Sequence, residues 1–148
     1  MITFEPFEPQ HLYRVNVQSE QAVELEELIR SGAAEQLIGS FSLSALLPSG
    51  ACAACGGLVN LWPGRFQAWV FMSSDAGEHL LAISRQVKYL LDTHPARRIE
   101  ATVRARFNRG QRFARLVGLR RESGVLRAFY PDGTDAILFA RVIDDDRV

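Results

Sequence analysis

Apolar and polar positions along the chain follow two periods, and the switches between them mark the elements. Ala22, Leu25, Leu28 and Ile29 recur at helical spacing. Asn16 or Ser19 stands where a cap belongs, and Gly32 is placed to end the helix. The other face of this helix is glutamate-rich and belongs in water. The period then drops to two. Phe41, Leu43 and Ala45 alternate with Ser42 and Ser44, which predicts a strand over 41–47 closed by Pro48-Ser49-Gly50. A small-residue strand is predicted over 51–60. A third is predicted over 66–73, where Phe66, Ala68, Val70 and Met72 alternate with Trp69 and Phe71. Apolar on both faces, it reads as the central strand.

After Asp75-Ala76-Gly77, the residues Leu80, Ile83, Val87, Leu90 and Leu91 form one stripe of a helix that packs on the sheet and stops before His94-Pro95. Ile99, Ala101 and Val103 alternate with Glu100, Thr102 and Arg104, predicting another strand. Asn108 caps and opens a short helix that turns Phe113, Leu116 and Val117 inward and ends at Gly118. Strands over 125–130 and 134–142 are joined by Pro131-Asp132-Gly133, a hairpin turn signal, and Asp144-Asp145-Asp146 forms a polar tail. The order is helix, three strands, helix, strand, helix, two strands. It predicts one α/β (α+β) domain over 1–148, with a mixed, largely antiparallel central sheet flanked by helices.

Composition bounds the class. At 148 residues, 47% hydrophobic and 23% charged, the chain suits one globular domain. No apolar run approaches the roughly 20 residues of a membrane span, and the first residues show no basic stretch followed by an apolar core. A cytoplasmic protein without membrane contact is expected. Cys52 and Cys55 are spaced C-x-x-C but fall in the small-residue strand, where odd spacing puts side chains on opposite faces. The expectation is two core thiols that cannot share a metal. His11, His79 and His94 have no ligand spacing, so no metal site is expected.

Charge cancels in sum but not in place. Residues 1–36 hold seven glutamates against Arg14 and Arg30, whereas residues 97–127 hold ten arginines against Glu100 and Glu122. Lys88 is the only lysine, and arginine is the cation that makes forked contacts to carboxylates and phosphates. Arg109, Arg112 and Arg115 recur every third residue along the outer side of the short helix, a candidate interaction face. Its partner is a protein carboxylate, a cofactor phosphate or, as the weakest reading, nucleic acid, because no nucleic-acid-reading motif accompanies the charge.

The element order and the stretch 61–142 resemble the GNAT fold of the N-acetyltransferase superfamily. Gly118-Leu119-Arg120-Arg121-Glu122, Leu126-Arg127, Pro131-Asp132-Gly133-Thr134-Asp135 and Ala140-Arg141-Val142 are similar to the ending of a phage and prophage subgroup of that fold. Trp62-Pro63-Gly64 and the Ala68-Trp69 strand share the likeness. That subgroup includes internal virion proteins of short-tailed phages. In active members a Q/R-x-x-G-x-G/A loop after a strand cradles the pyrophosphate of acetyl-CoA on backbone N–H groups at a helix start. The corresponding stretch here is Ser73-Ser74-Asp75-Ala76-Gly77-Glu78-His79, with one of the two glycines and two carboxylates where an anion would sit. The family's general-acid tyrosine falls on Ala114, and Leu119 replaces the phenylalanine of its Gly-Phe pair.

The resemblance therefore implies a non-catalytic protein with no cofactor and a structural, virion-associated role in the internal head, portal or neck region. Its partners are other copies of itself or other virion proteins, and it is found in the host cytoplasm or in the phage particle. The alternative is an acetyl-CoA-dependent N-acetyltransferase with a reworked phosphate loop. In that case Met72, Ser73, Ser74, Gly77 and Asn108 would contact acetyl-CoA, and Glu100, through a held water, or Tyr130 would move the proton.

Overall fold

In the computed structural model, residues 1–39 and 41–143 are described, so the Asp144-Asp145-Asp146 tail lies outside them. Seven strands and three α-helices alternate: β1 (Thr3–Pro6), α1 (Ala22–Ser31), β2 (Leu43–Leu46), β3 (Cys52–Trp62), β4 (Arg65–Met72), α2 (Leu80–Thr93), β5 (Arg98–Arg104), α3 (Asn108–Leu116), β6 (Arg120–Leu126) and β7 (Ala136–Val142). They form one mixed sheet in the order β1-β2-β3-β4-β5-β7-β6, flanked by the helices. Among its described pairings only β4 with β5 is parallel, over Arg65↔Arg98, Phe66↔Ile99 and Gln67↔Glu100. The predicted mixed, largely antiparallel sheet is what the chain forms. The described residues group into two compact units, one of Met1–Val59 and Trp69–Ile83, the other of Asn60–Ala68 and the chain from Ser84 onward.

The first unit is built around Phe7, Leu12, Val15, Leu25, Leu46, Cys52, Cys55 and Phe71. Leu28 and Ile29 of α1 join this core, as their spacing predicts, and Gly32 ends the helix in the left-handed conformation at φ 73°. Neither Asn16 nor Ser19 caps it. A 3-10 turn (Ser19–Gln21) leads in, and Gln21 is the cap without a side-chain cap bond. β1 has no counterpart in the predicted order. All four of its positions are exposed, so it carries no alternation of buried and exposed residues, and Pro6 lies within it. It holds its place by pairing with β2.

The two thiols are buried in the core as expected, but their facing corrects the sequence expectation. Ala45 of β2 pairs with Ala54, but Leu46 pairs with Cys52, so Ala53 is an extra residue, a β-bulge. The bulge resets the alternation and turns Cys52 and Cys55 to the same face, where they hydrogen-bond to each other. That contact lowers the Cys52 pKa and, together with burial, raises that of Cys55. Among the described residues no three His, Cys, Asp or Glu side chains group to hold a metal. Beside the pair, His11 Nδ1 accepts the Glu8 N–H at 3.1 Å and faces the Ser44 hydroxyl at 2.6 Å.

The second unit centres on Ile99 and Phe139, both fully buried on the β5–β7 ladder. α2 is closed from outside its own sequence. The Arg141 guanidinium donates to the Leu91 carbonyl at 2.8 Å, a group the helix end leaves open, and to the Ala96 carbonyl beyond the helix at 2.7 Å. His94 Nδ1 accepts the Ala96 N–H, and burial, then the Arg141 charge, lowers its pKa. Three expectations in this unit are corrected. Phe107, not Asn108, is the N-cap of α3, and Asn108 is its first helical residue. Gln111 and Ala114 are buried on α3 while Leu116 is 52% exposed, because Gln111 turns in to donate to the Arg104 and Ala105 carbonyls. β6 starts at Arg120 and ends at Leu126, so Tyr130 lies in the turn closed by the Gly133 N–H on its carbonyl.

Among the described residues no helix is long and apolar enough to cross a membrane.

Candidate functional site

The stretch that would meet a cofactor phosphate leaves β4 at Met72 and enters α2 through a 3-10 turn (Gly77–His79). Met72 and Ser73 are buried, and Ser74 and Gly77 are exposed. The backbone donors of residues 74–76 already have acceptors. The Ser74 N–H bonds to the Asn16 carbonyl at 2.9 Å, the Asp75 N–H to Ser73 Oγ at 3.0 Å, and the Ala76 N–H to the Ser73 carbonyl at 3.1 Å. Asn16 Nδ2 reaches Ser74 Oγ at 3.2 Å and Asp75 Oδ2 at 3.4 Å. Glu78 is exposed and lies 3.4 Å from His79 Nε2.

A cradle for pyrophosphate needs a run of backbone N–H groups turned outward with no acidic side chain among them. Here the donors at 74, 75 and 76 turn inward, and Asp75 and Glu78 bring negative charge to the same turn. Residues 74–76 thus offer an anion no outward donor, and two carboxylates share their turn.

The same strand end has a second set of internal partners that the sequence does not announce. Gln21 Nε2 donates to the Val70 carbonyl at 2.7 Å, and Gln21 Oε1 accepts the Met72 N–H at 3.0 Å. Val17 forms an antiparallel bridge to Ser73. Periodicity finds Gln21 only as a polar residue ahead of α1, since a pairing across 49 or 51 residues leaves no local trace.

The proposed proton-transfer residues lie in the second unit. Glu100 is 7% exposed on β5 and is held by Arg65, through Nε at 3.1 Å and through Nη2, and by Arg98 Nε at 2.5 Å. Arg98 continues to Glu122. The Arg65 hydrogen bonds first, then those of Arg98, hold the Glu100 carboxyl below the usual range, so it is a weak base. Tyr130 carries the Arg104 guanidinium 4.4 Å above its ring, and Arg104 also bonds to Asp132. Asn108 is exposed, as are Arg109, Arg112 and Arg115. Arg115 also sits 5.5 Å over the Phe139 ring. Ala114, at the family's tyrosine position, is buried.

No protein-family model and no curated sequence matches this chain. Solved structures do. A GNAT-family acetyltransferase from Bacillus anthracis superposes with a TM-score of 0.64 at 16% identity, covering 95% of this chain and 94% of that one. One from Streptococcus pneumoniae gives 0.62 at 15% identity over 97% and 100%. A GNAT-superfamily phosphinothricin acetyltransferase from Sinorhizobium meliloti, solved in complex with AcCoA, gives 0.59 at 15% over 97% and 89%. At such identities the likeness speaks for the fold alone, and the fold is that of the GNAT acetyltransferases.

Proposed function

We propose that the chain is a non-catalytic GNAT-fold protein with a structural role exercised through protein contacts, in the virion-associated setting that its closing segment suggests. The observation that carries this reading is the inward turn of the Ser74, Asp75 and Ala76 N–H groups, which leaves an anion fewer donors in a turn that also holds Asp75 and Glu78. The exposed Arg109, Arg112 and Arg115 supply the contact face, and exposed glutamates such as Glu5, Glu8, Glu20 and Glu35 supply a complement on a second copy. A contact between unlike patches of identical chains closes into a ring when the rotation allows.

Titration with acetyl-CoA by calorimetry tests the reading. No heat of binding is expected up to about 1 mM, a free energy near −4 kcal/mol. Saturable micromolar binding would overturn it. That result would favour the alternative, an acetyl-CoA-dependent N-acetyltransferase, for which the AcCoA complex of the Sinorhizobium meliloti protein speaks.

A further inference from the structure

Cys52 and Cys55 form a buried pair that the candidate site does not use, and the bulge at Ala53 sets its geometry. Across the ladder Cys52 lies opposite Leu46, and Cys55 lies opposite Ser44. Leu46 and Ser44 are two residues apart, and a strand rises about 3.3 Å per residue. The Cα atoms of the two cysteines are therefore spaced by about 6.6 Å, where three residues of unbulged strand would span roughly 10 Å. Disulfide-linked Cα atoms lie about 4.4–6.8 Å apart. The extra residue thus brings a C-x-x-C pair on one strand within disulfide reach, near its outer limit, and onto one face.

The two thiols differ in surroundings. The Cys55 thiol donates to the Cys52 sulfur, a bond that holds the Cys52 pKa down, and the same bond, then burial, pushes that of Cys55 up. Cys52 Sγ also lies 3.1 Å from the Ala54 carbonyl oxygen. Position separates them as well. Cys52 is the first residue of β3, directly after the exposed stretch 48–51, whereas Cys55 lies further in. Strand ends open before strand centres, so a water-sized reagent reaches Cys52 first, although both residues are buried at rest.

We propose that Cys52 and Cys55 are an oxidation site that hydrogen peroxide converts into an intrastrand disulfide across the bulge, with Cys52 the attacking thiol and Cys55 the resolving one. The Cys52 sulfur, as thiolate, attacks one peroxide oxygen. An S–O bond forms, the O–O bond breaks, and the departing hydroxide takes up the proton that Cys52 gave up and leaves as water. The Cys55 sulfur then attacks the sulfenic acid on Cys52. The S–S bond forms, the S–O bond breaks, and hydroxide leaves with the Cys55 proton as a second water. The two thiols give up two electrons, which reduce the peroxide, and an added dithiol reverses the bond by exchange. The site stands apart from the non-catalytic reading and from the binding of acetyl-CoA.

The experiment exposes the folded chain to hydrogen peroxide, alkylates the free thiols, and weighs the tryptic peptide over 31–65, which holds both cysteines and no methionine. From wild type that peptide is expected without alkylation, lighter by two hydrogens than its sequence mass, and restored by dithiothreitol. Cys55→Ser lacks the resolving thiol and gains one oxygen that dimedone captures. Cys52→Ser takes up oxygen at least about tenfold more slowly than Cys55→Ser. The wild-type chain carries the test if either serine chain fails to fold. A wild-type peptide that stays alkylated, gains oxygen without losing hydrogens, or links to a second chain overturns the inference. A rate of disulfide formation that tracks the unfolded fraction in urea overturns it too, by placing the reaction in the unfolded chain. Equal rates in the two serine variants overturn the assignment of Cys52 as the attacking thiol.

Discussion

Glu100→Gln separates a structural carboxylate from a chemical one. The Glu100 side chain is 9% exposed, and the guanidinia that hold it, Arg65 and Arg98, are 29% and 27% exposed. Removing one partner of a fully buried ion pair costs about 3–5 kcal/mol, because the other charge is stranded. Here both arginines keep more than a quarter of their surface in water, and Arg98 retains Glu122. The stranded charges are partly resolvated, and the expected loss falls to about 2–3 kcal/mol. In a chain of this size that lowers the thermal midpoint by about 5–10 °C.

The sign of the pH dependence follows from the depressed Glu100 carboxyl. A group whose folded pKa lies below its unfolded value contributes stability that is present above the unfolded pKa, about 4.3, and is lost as pH falls through the folded pKa. The wild-type chain should weaken in acid below about pH 5, and the Glu100→Gln substitution should flatten that limb. It should not abolish it, because Glu122 is depressed as well, chiefly by its Arg98 hydrogen bonds. Urea unfolding from about pH 7 down to about pH 3 reads both effects. An unchanged midpoint at neutral pH, or an acid limb identical in the two proteins, would refute the account of Glu100 as an ion-pair anchor.

Two further outcomes follow from the packing. Gly57→Ala should destabilise the first unit by about 1–3 kcal/mol in urea unfolding, since its Cβ would lie 2.7 Å from the Phe41 carbonyl oxygen and 2.7 Å from the Ser42 Cα, both of them backbone. Arg141→Met keeps the buried stem but abandons the Leu91 and Ala96 carbonyls, a loss of about 2 kcal/mol. The same change removes the charge that helps depress His94, so the His94 imidazole should titrate higher by NMR, and a resonance that does not move would contradict the contact.

Elements whose contacts repeat locally were legible in the sequence. α1 and α2 show helical stripes, β4 alternates with both faces apolar, and Gly32 ends its helix where its φ requires. Most of the failures trace to a partner far along the chain. β1 is exposed at every position and exists through β2. The bulge at Ala53 is visible only against β2, and it moved Cys52 and Cys55 from opposite faces to one. Leu116 lost its inward place to Gln111, whose amide has backbone carbonyls to satisfy. At the candidate site the turn after β4 was legible, with its missing glycine and its carboxylates. Its closure was not, because Asn16 and Gln21 lie 49 to 59 residues away from the groups they bind.

That closure bears on what the edge of β4 can accept. Buried backbone groups must find partners, so a strand edge that serves a ligand is left for the ligand or for water to complete. In this chain the edge of β4 away from β3 is completed from within. The substitution needs no change in the sheet: one carboxamide at position 21 and one backbone carbonyl at position 16 suffice. Strand order and helix stripes then persist, and solved acetyltransferases still superpose over 95% of the chain. The two closures differ in how readily they reverse. The Ser74 bond comes from main chain already aligned by the Val17 bridge, whereas the Met72 and Val70 bonds depend on one rotatable side chain. Exchange at Met72 should therefore run faster than at Ser74 in the wild-type chain, and the order in which the edge opens identifies Gln21 as its weakest closure.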